Sequence, residues 1–204
     1  MSFDEFFTRE FSANPVMGIF RGLGVRATVD LCQRAWDFGV ELVEVPIQDD
    51  AARPAFEAAL AAGLTRGKAV GAGTVTSAAQ VAYVLEAGGA FTVSPGTDES
   101  VIEASLVAGL PHLPGVATAT EVGKALRLGC VWQKAFPAAQ LGPGWVNAVR
   151  APFPAVKFVA TGGVRPQNAR SLLDAGCSAI AVGSAFDSTE AIAELARELG
   201  GHRP

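Results

Sequence analysis

The chain has 204 residues, enough for one domain with a large core and short for two. Half of the residues are hydrophobic and 18% are charged, a mix that suits a compact α/β protein with a buried sheet and excludes a disordered one. A formal net charge of −4 leaves no basic footprint for nucleic acid, and no apolar run approaches the roughly 20 residues of a membrane helix.

The opening stretch "MSFDEFFTREF" carries acidic residues and lacks the apolar region of a signal peptide, so a cytoplasmic protein is expected. Phe3, Phe6, Phe7 and Phe11 fall at i, i+3, i+4 and i+8, one apolar face of a helix placed over residues 1–13. That helix reads as a plug over one end of the fold. A single grammar then repeats to the end of the chain, as in "DFGVELVEVP", "EAGGAFTVSPGT", "RLGCVWQKAFP" and "DAGCSAIAVGS". An Ala/Leu-rich stretch ends at a glycine, a short apolar strand follows, and a Gly/Pro/Ser/Thr turn closes the unit. The strands lack polar alternation, which is the mark of a parallel sheet buried on both faces.

Strands are predicted over 16–20, 41–46, 69–73, 91–94, 111–114, 131–136, 157–161 and 179–182, with helices near 26–38, 51–62, 77–87, 98–109, 118–128, 143–150, 166–175 and 188–199. Eight β-α units of about 20–25 residues predict an α/β fold, a TIM (β/α)8 barrel with an extra N-terminal helix, in one domain over 1–204. A doubly wound open sheet is the competing arrangement. The even count of eight, with no dinucleotide fingerprint, favours the barrel.

In such a barrel chemistry sits at the C-terminal ends of the strands. Reading those ends in order gives Arg21 after the first strand and Glu44 in "VEVP". Gly73 and Thr74 follow in "GAGT", Ser94 and Pro95 in "VSPG", and Lys134 with Phe136 in "KAFP". Lys134 stands out. The chain has four lysines; Lys68 precedes a strand, Lys124 lies on a helix and Lys157 opens a strand, whereas Lys134 sits inside an apolar strand near its catalytic end. Desolvation disfavours the charged form of an amine, and a neutral amine can attack a carbonyl to form a Schiff base. The iminium is then an electron sink for cleavage of a carbon–carbon bond. Glu44 can move the protons this requires. A purely structural reading, a buried Lys134–Glu44 ion pair, stands beside the catalytic one. Trp132 and Phe136 fall on the same side of the strand as Lys134 and would dry its surroundings.

The last two turns, "TGGVRPQN" and "VGSAFDS", set Gly162, Gly163, Gly183 and Ser184 before helix starts. Loops after the seventh and eighth strands of such barrels commonly bind phosphate through backbone N–H groups. Glycine turns needed only for packing are the alternative. No metal site is expected. Cys32, Cys130 and Cys177 are scattered without a CxxC pair, His112 at the start of a strand reads as structural, and His202 lies in a polar tail.

Taken in order, "VEVP", "VGAGTV", "VSPG", "LPGVATATE", "KAFPA" and "TGGV" resemble the 2-dehydro-3-deoxy-phosphogluconate and -phosphogalactonate aldolases, a family that also includes 4-hydroxy-2-oxoglutarate aldolase activity. The resemblance runs from about Gly18 to Ser184. It implies a class I aldolase, a homotrimer with no cofactor, that cleaves a phosphorylated keto sugar acid to pyruvate and glyceraldehyde 3-phosphate. It implies Lys134 as the Schiff-base lysine and Glu44 as the proton-transferring carboxylate. Arg21, Gly73, Thr74 and Pro95 match positions around the pyruvate-derived carboxylate. Phe136 matches a pocket residue, and Gly162, Gly163, Gly183 and Ser184 match the phosphate site. Gln48 stands where the gluconate branch carries an arginine, and "EVPIQ", "PGVATATE" and "LGP" look more like the galactonate branch. Thr161 resembles the gluconate branch. An isomerase or epimerase on the same barrel, with Glu44 as base, and a non-catalytic phospho-sugar-binding protein are the other functional readings.

Overall fold

A computed structural model describes residues 3–200. The first helix, α1 (Phe3–Glu10), is followed by strands β1 (Val16–Ile19), β2 (Leu42–Pro46), β3 (Ala69–Gly73), β4 (Thr92–Val93), β5 (His112–Leu113), β6 (Gly115–Val116), β7 (Trp132–Ala135), β8 (Lys157–Thr161) and β9 (Ala179–Val182). All neighbours pair in parallel, in the order β5-β4-β3-β2-β1-β9-β8-β7-β6. Pro114 alone parts β5 from β6. Its carbonyl accepts from Lys134 N at 2.8 Å, while the neighbouring Leu113 carbonyl accepts from Ser94 N at 3.2 Å. The fifth barrel strand is therefore one strand in two halves, broken where proline has no N–H for the ladder. Its two flanks close a TIM-type α/β barrel.

Helices α2 (Val25–Asp37), α3 (Arg53–Arg66), α4 (Ala78–Ala87), α5 (Glu99–Val107), α6 (Ala119–Arg127), α7 (Ala138–Arg150), α8 (Pro166–Asp174) and α9 (Thr189–Glu198) alternate with the strands. Several start on side-chain caps. Ser77, Asp98, Thr118 and Ser188 each accept from a backbone N–H three residues on, and Glu121 returns a bond to Thr118 N. Each such cap contributes about 1 kcal/mol and fixes where a βα turn ends. The helix predicted at 143–150 begins instead at Ala138. Gly142 takes φ 74° and ψ 169° before Pro143, so two short helices run together across a kink.

The two-residue period of the strands sorts side chains into two cores. Val43, Val45, Phe158 and Ile180 face the helices and pack with Phe56 and Ile102, while Met17, Leu42, Phe91, Leu113, Trp132 and Val159 fill the lumen. The expected plug is present. Phe6, Phe7 and Phe11 cover the N-terminal end of the lumen, with Phe11 stacked on Trp132 at 5.0 Å. Trp132 Nε1 donates to Thr8 Oγ1 at 3.2 Å, and Lys157 Nζ donates to Asp4 Oδ1 at 3.1 Å. One end of the barrel is thus covered by aromatic rings, and the lumen opens toward the C-terminal ends of the strands.

Candidate active site

At that open end lies a cleft of about 530 Å³. Every site residue predicted from the sequence lines it except Glu44, Gly73 and Ser94. Arg21 follows β1, Thr74 follows β3, Pro95 follows β4, and Lys134 and Phe136 come from β7 and its end. Thr161, Gly162 and Gly163 come from the end of β8, and Gly183 and Ser184 follow β9.

Lys134 projects into the lumen above Trp132, whereas Gln133 between them points outward and donates to the carbonyls of Cys130 and Val122. Lys134 is 2% exposed and Glu44, across the barrel on β2, is 0% exposed. Their Nζ and Oε1 stand 3.7 Å apart, and neither Glu44 oxygen accepts a hydrogen bond among the described residues. The Phe136 ring centroid lies 5.2 Å from Nζ. The other lysines differ: Lys68, Lys124 and Lys157 each pair with a partly exposed carboxylate, on Glu41, Glu99 and Asp4. Burying two charges costs several kcal/mol apiece, which close geometry and further hydrogen bonds must offset. At 3.7 Å, with both carboxylate oxygens otherwise unbonded, this pair is poor structural glue. It is well placed to pass protons.

Gly73 adjoins Glu44 at the end of β3. It does not line the cleft but lies behind Glu44: a Cβ at Gly73 would sit 1.9 Å from Oε1 and 2.5 Å from Cδ. The absent side chain makes room for the carboxylate. The next residue, Thr74, has φ 57°. A β-branched residue is strained in that region, and such strain persists only where the surroundings impose it. Here it turns Thr74 into the cleft. Gly162 and Gly163 take φ 92° and 69°, a consecutive left-handed pair that glycine adopts without penalty. A Cβ on Gly162 would also meet the Phe136 ring at 2.9 Å. Asn168 fastens this turn, accepting from Arg165 N at 2.8 Å and donating to the Gly163 carbonyl at 3.0 Å. Gly183 opens a short 3-10 turn over Ser184–Phe186.

His112 is structural, as its position suggested. Ser94 Oγ donates to the Gly96 carbonyl at 2.6 Å, so His112 Nε2 must donate to Ser94 Oγ at 3.2 Å. Nδ1 then accepts from Thr92 Oγ1 at 2.8 Å, which accepts from Ser105 Oγ at 3.0 Å. Burial pushes the imidazole pKa down from 6.5 to about 3, which keeps it neutral and holds the turn carrying Pro95. His202 lies outside the described residues. Among them, no group of three or more His, Cys, Asp or Glu side chains could hold a metal ion. Among the described residues, no helix is long and apolar enough to cross a membrane.

Four cleft residues escaped the sequence reading: Ile19, Val164, Arg165 and Ala181. Ile19 and Ala181 follow from alternation, one step up from the inward Met17 and Ala179. Arg165 carries a signal too, since it directly follows "TGGV".

The family model described as KDPG and KHG aldolase matches residues 10–197. The 2-dehydro-3-deoxy-6-phosphogalactonate aldolase of Escherichia coli K12 is 33% identical over 174 residues, 83% of each chain. The KHG/KDPG aldolase of the same organism is 36% identical over 170 residues, 78% of each chain. Among solved structures, the KDPG aldolase of Legionella pneumophila, with pyruvate captured as a covalent carbinolamine, superposes with a TM-score of 0.80 at 26% identity. That match covers 97% of this chain and 98% of the other.

Proposed function

The chain belongs to the KDPG and KHG aldolase family and is an aldolase, and on that premise we propose that its cleft cleaves a 2-keto-3-deoxy-6-phospho sugar acid through a Schiff base on Lys134. The single observation that carries the site assignment is the buried Lys134–Glu44 pair, 3.7 Å apart at the floor of the cleft. Family membership favours carbon–carbon cleavage over the isomerase and the non-catalytic readings.

The geometry supports the following course. Lys134 passes a proton to Glu44 and its amine adds to the C2 carbonyl to give a carbinolamine; Glu44 returns that proton to the C2 hydroxyl, which leaves as water, and an iminium remains. Glu44 takes the proton of the C4 hydroxyl, directly or through a water; the C3–C4 bond breaks, and its electron pair passes into the iminium to form an enamine. Glyceraldehyde 3-phosphate leaves. The proton held at Glu44 returns to C3, and hydrolysis of the resulting imine releases pyruvate and restores the amine. Arg21 and Thr74, which line the cleft with Pro95 and Phe136, are assigned to the substrate carboxylate. The glycine turn at Gly162 and Gly163, with Gly183 and Ser184, is suited to the distal phosphate. Thr161, at the end of β8, lines the same cleft. No cofactor is needed in this scheme.

The substrate is the gluconate or the galactonate epimer of this acid, and cleavage of 4-hydroxy-2-oxoglutarate belongs to the same reading. A homotrimer and a cytoplasmic location complete it, the latter supported by three free, buried cysteines. Pyruvate release from the two phosphorylated epimers and from 4-hydroxy-2-oxoglutarate tests the reaction. Release from at least one phosphorylated acid, abolished in Lys134→Met and strongly slowed in Glu44→Gln, is the expected result. Absence of pyruvate from all three would refute it.

A further inference from the structure

We infer that Arg165 is a specificity residue for the distal phosphate, a role that rests on the aldolase reading and sharpens it. Three cationic side chains line the cleft: Arg21, Lys134 and Arg165. Lys134 faces Glu44 at 3.7 Å on the floor. The substrate brings two anionic groups, a carboxylate next to the carbonyl that Lys134 attacks and a phosphate four carbons further on. Arg165 stands two residues beyond Gly163, at the N-cap position of α8, and so belongs to the glycine turn itself, while Arg21 follows β1, whose Ile19 carbonyl lies against Gly183.

The backbone at Arg165 is fixed while its side chain is free to reach. Its N–H donates to Asn168 Oδ1 at 2.8 Å, and Asn168 in turn holds the Gly163 carbonyl at 3.0 Å, so the glycine turn and the Arg165 backbone form one rigid piece. The residue is exposed, and its guanidinium makes no ion pair among the described residues. Arg66 and Arg170, by contrast, are tied to Asp37 and Asp174. A planar guanidinium at the mouth matches two phosphate oxygens at once, and a dianion supplies the charge that the position lacks. Backbone N–H groups recognise the shape of a phosphate; Arg165 adds the charge that separates a phosphorylated acid from its unphosphorylated analogue.

Because the phosphate is remote from the C3–C4 bond, its contact with Arg165 is equal in the ground and transition states, and its loss raises KM more than it lowers kcat. The experiment compares Arg165→Gln with the parent on the phosphorylated acid and on the same acid without phosphate, with inorganic phosphate as competitive inhibitor. The ratio of kcat/KM between the two acids should fall about 10- to 100-fold, the range for losing a charged hydrogen-bonding partner. The inhibition constant for inorganic phosphate should rise in step, and Arg165→Lys should restore part of both. Borohydride trapping of pyruvate on Lys134 in both proteins separates the two levels of inference, since pyruvate has no phosphate. Trapping without any change in the ratio or in phosphate inhibition overturns the role of Arg165 alone. An equal loss on both acids also overturns it, because the residue would then serve the fold or the carboxylate end. Failure of trapping in the parent protein overturns the Schiff-base reading of the site itself.

Discussion

Replacing Gly73 with alanine isolates what the space behind Glu44 contributes. The added Cβ would lie 1.9 Å from Oε1, against the 3.4 Å at which ordinary contact begins, so the carboxylate must retreat by about 1.5 Å. The backbone gives no competing explanation, since Gly73 is absent from the positive-φ residues and alanine can adopt its conformation. Overpacking of this kind costs about 1–3 kcal/mol of stability, which in a chain of this size lowers Tm by roughly 3–10 °C. The catalytic effect should be larger. A displacement on the order of 1 Å costs about 100-fold, and general acid–base catalysis as a whole is worth about 10²–10⁴-fold. We therefore expect kcat to fall on the order of 10²–10³-fold in a protein that is still folded at assay temperature. Two assays read this: pyruvate release from the phosphorylated acid, and exchange of the pyruvate methyl protons with deuterated water, which reports proton transfer at C3 without carbon–carbon cleavage. Both should fall together. A folded Gly73→Ala protein with kcat within threefold of the parent would refute the idea that Glu44 must stand where it does.

Two further outcomes follow from residues outside the cleft. His112 is neutral in the folded protein, with its pKa lowered to about 3 by burial, and takes up a proton near pH 6.5 once unfolded. The unfolded chain binds more protons between those values, so stability is full above pH 6.5 and is lost as pH falls, by about 1.4 kcal/mol for each pH unit between 6 and 4. Denaturant titrations of parent and His112→Gln should differ in slope by that amount, and parallel curves would contradict it. Phe7→Ala opens a void in the aromatic plug at the covered end, where Phe7 is 1% exposed. It should cost about 3–5 kcal/mol of stability in urea unfolding and leave kcat unchanged; a collapse of kcat at intact stability would contradict the placement of the site at the other end.

The fold was legible because its periods are strong. Unbroken apolar strands between glycines announce a parallel sheet, and eight such units close a barrel. Even so, Pro114 splits one strand, and Gly142 joins two short helices into α7, because a single proline or glycine acts on backbone geometry that periodicity does not register. Lys134 was legible for the opposite reason: one charge inside an apolar strand violates the pattern around it. Glu44 follows from alternation with Leu42. The place of Gly73 was not legible, since a residue without a side chain gives no sign of whether it borders a ligand or another residue. Arg165 was hidden in a different way. An arginine after a loop usually belongs to solvent, and only the closure of the barrel brings this one to the rim of the cleft.

The central claim is that Lys134 carries the substrate covalently. Incubating the protein with pyruvate and borohydride, then mapping the modified peptide by mass spectrometry, tests it most directly. The account predicts one adduct, pyruvate less water plus two hydrogens, on the peptide containing Lys134, with activity lost in proportion. The surface lysines Lys68, Lys124 and Lys157, each held by a carboxylate, should stay unmodified. An unmodified Lys134 in a protein that still releases pyruvate, or an adduct on another lysine that tracks the loss of activity, would contradict it.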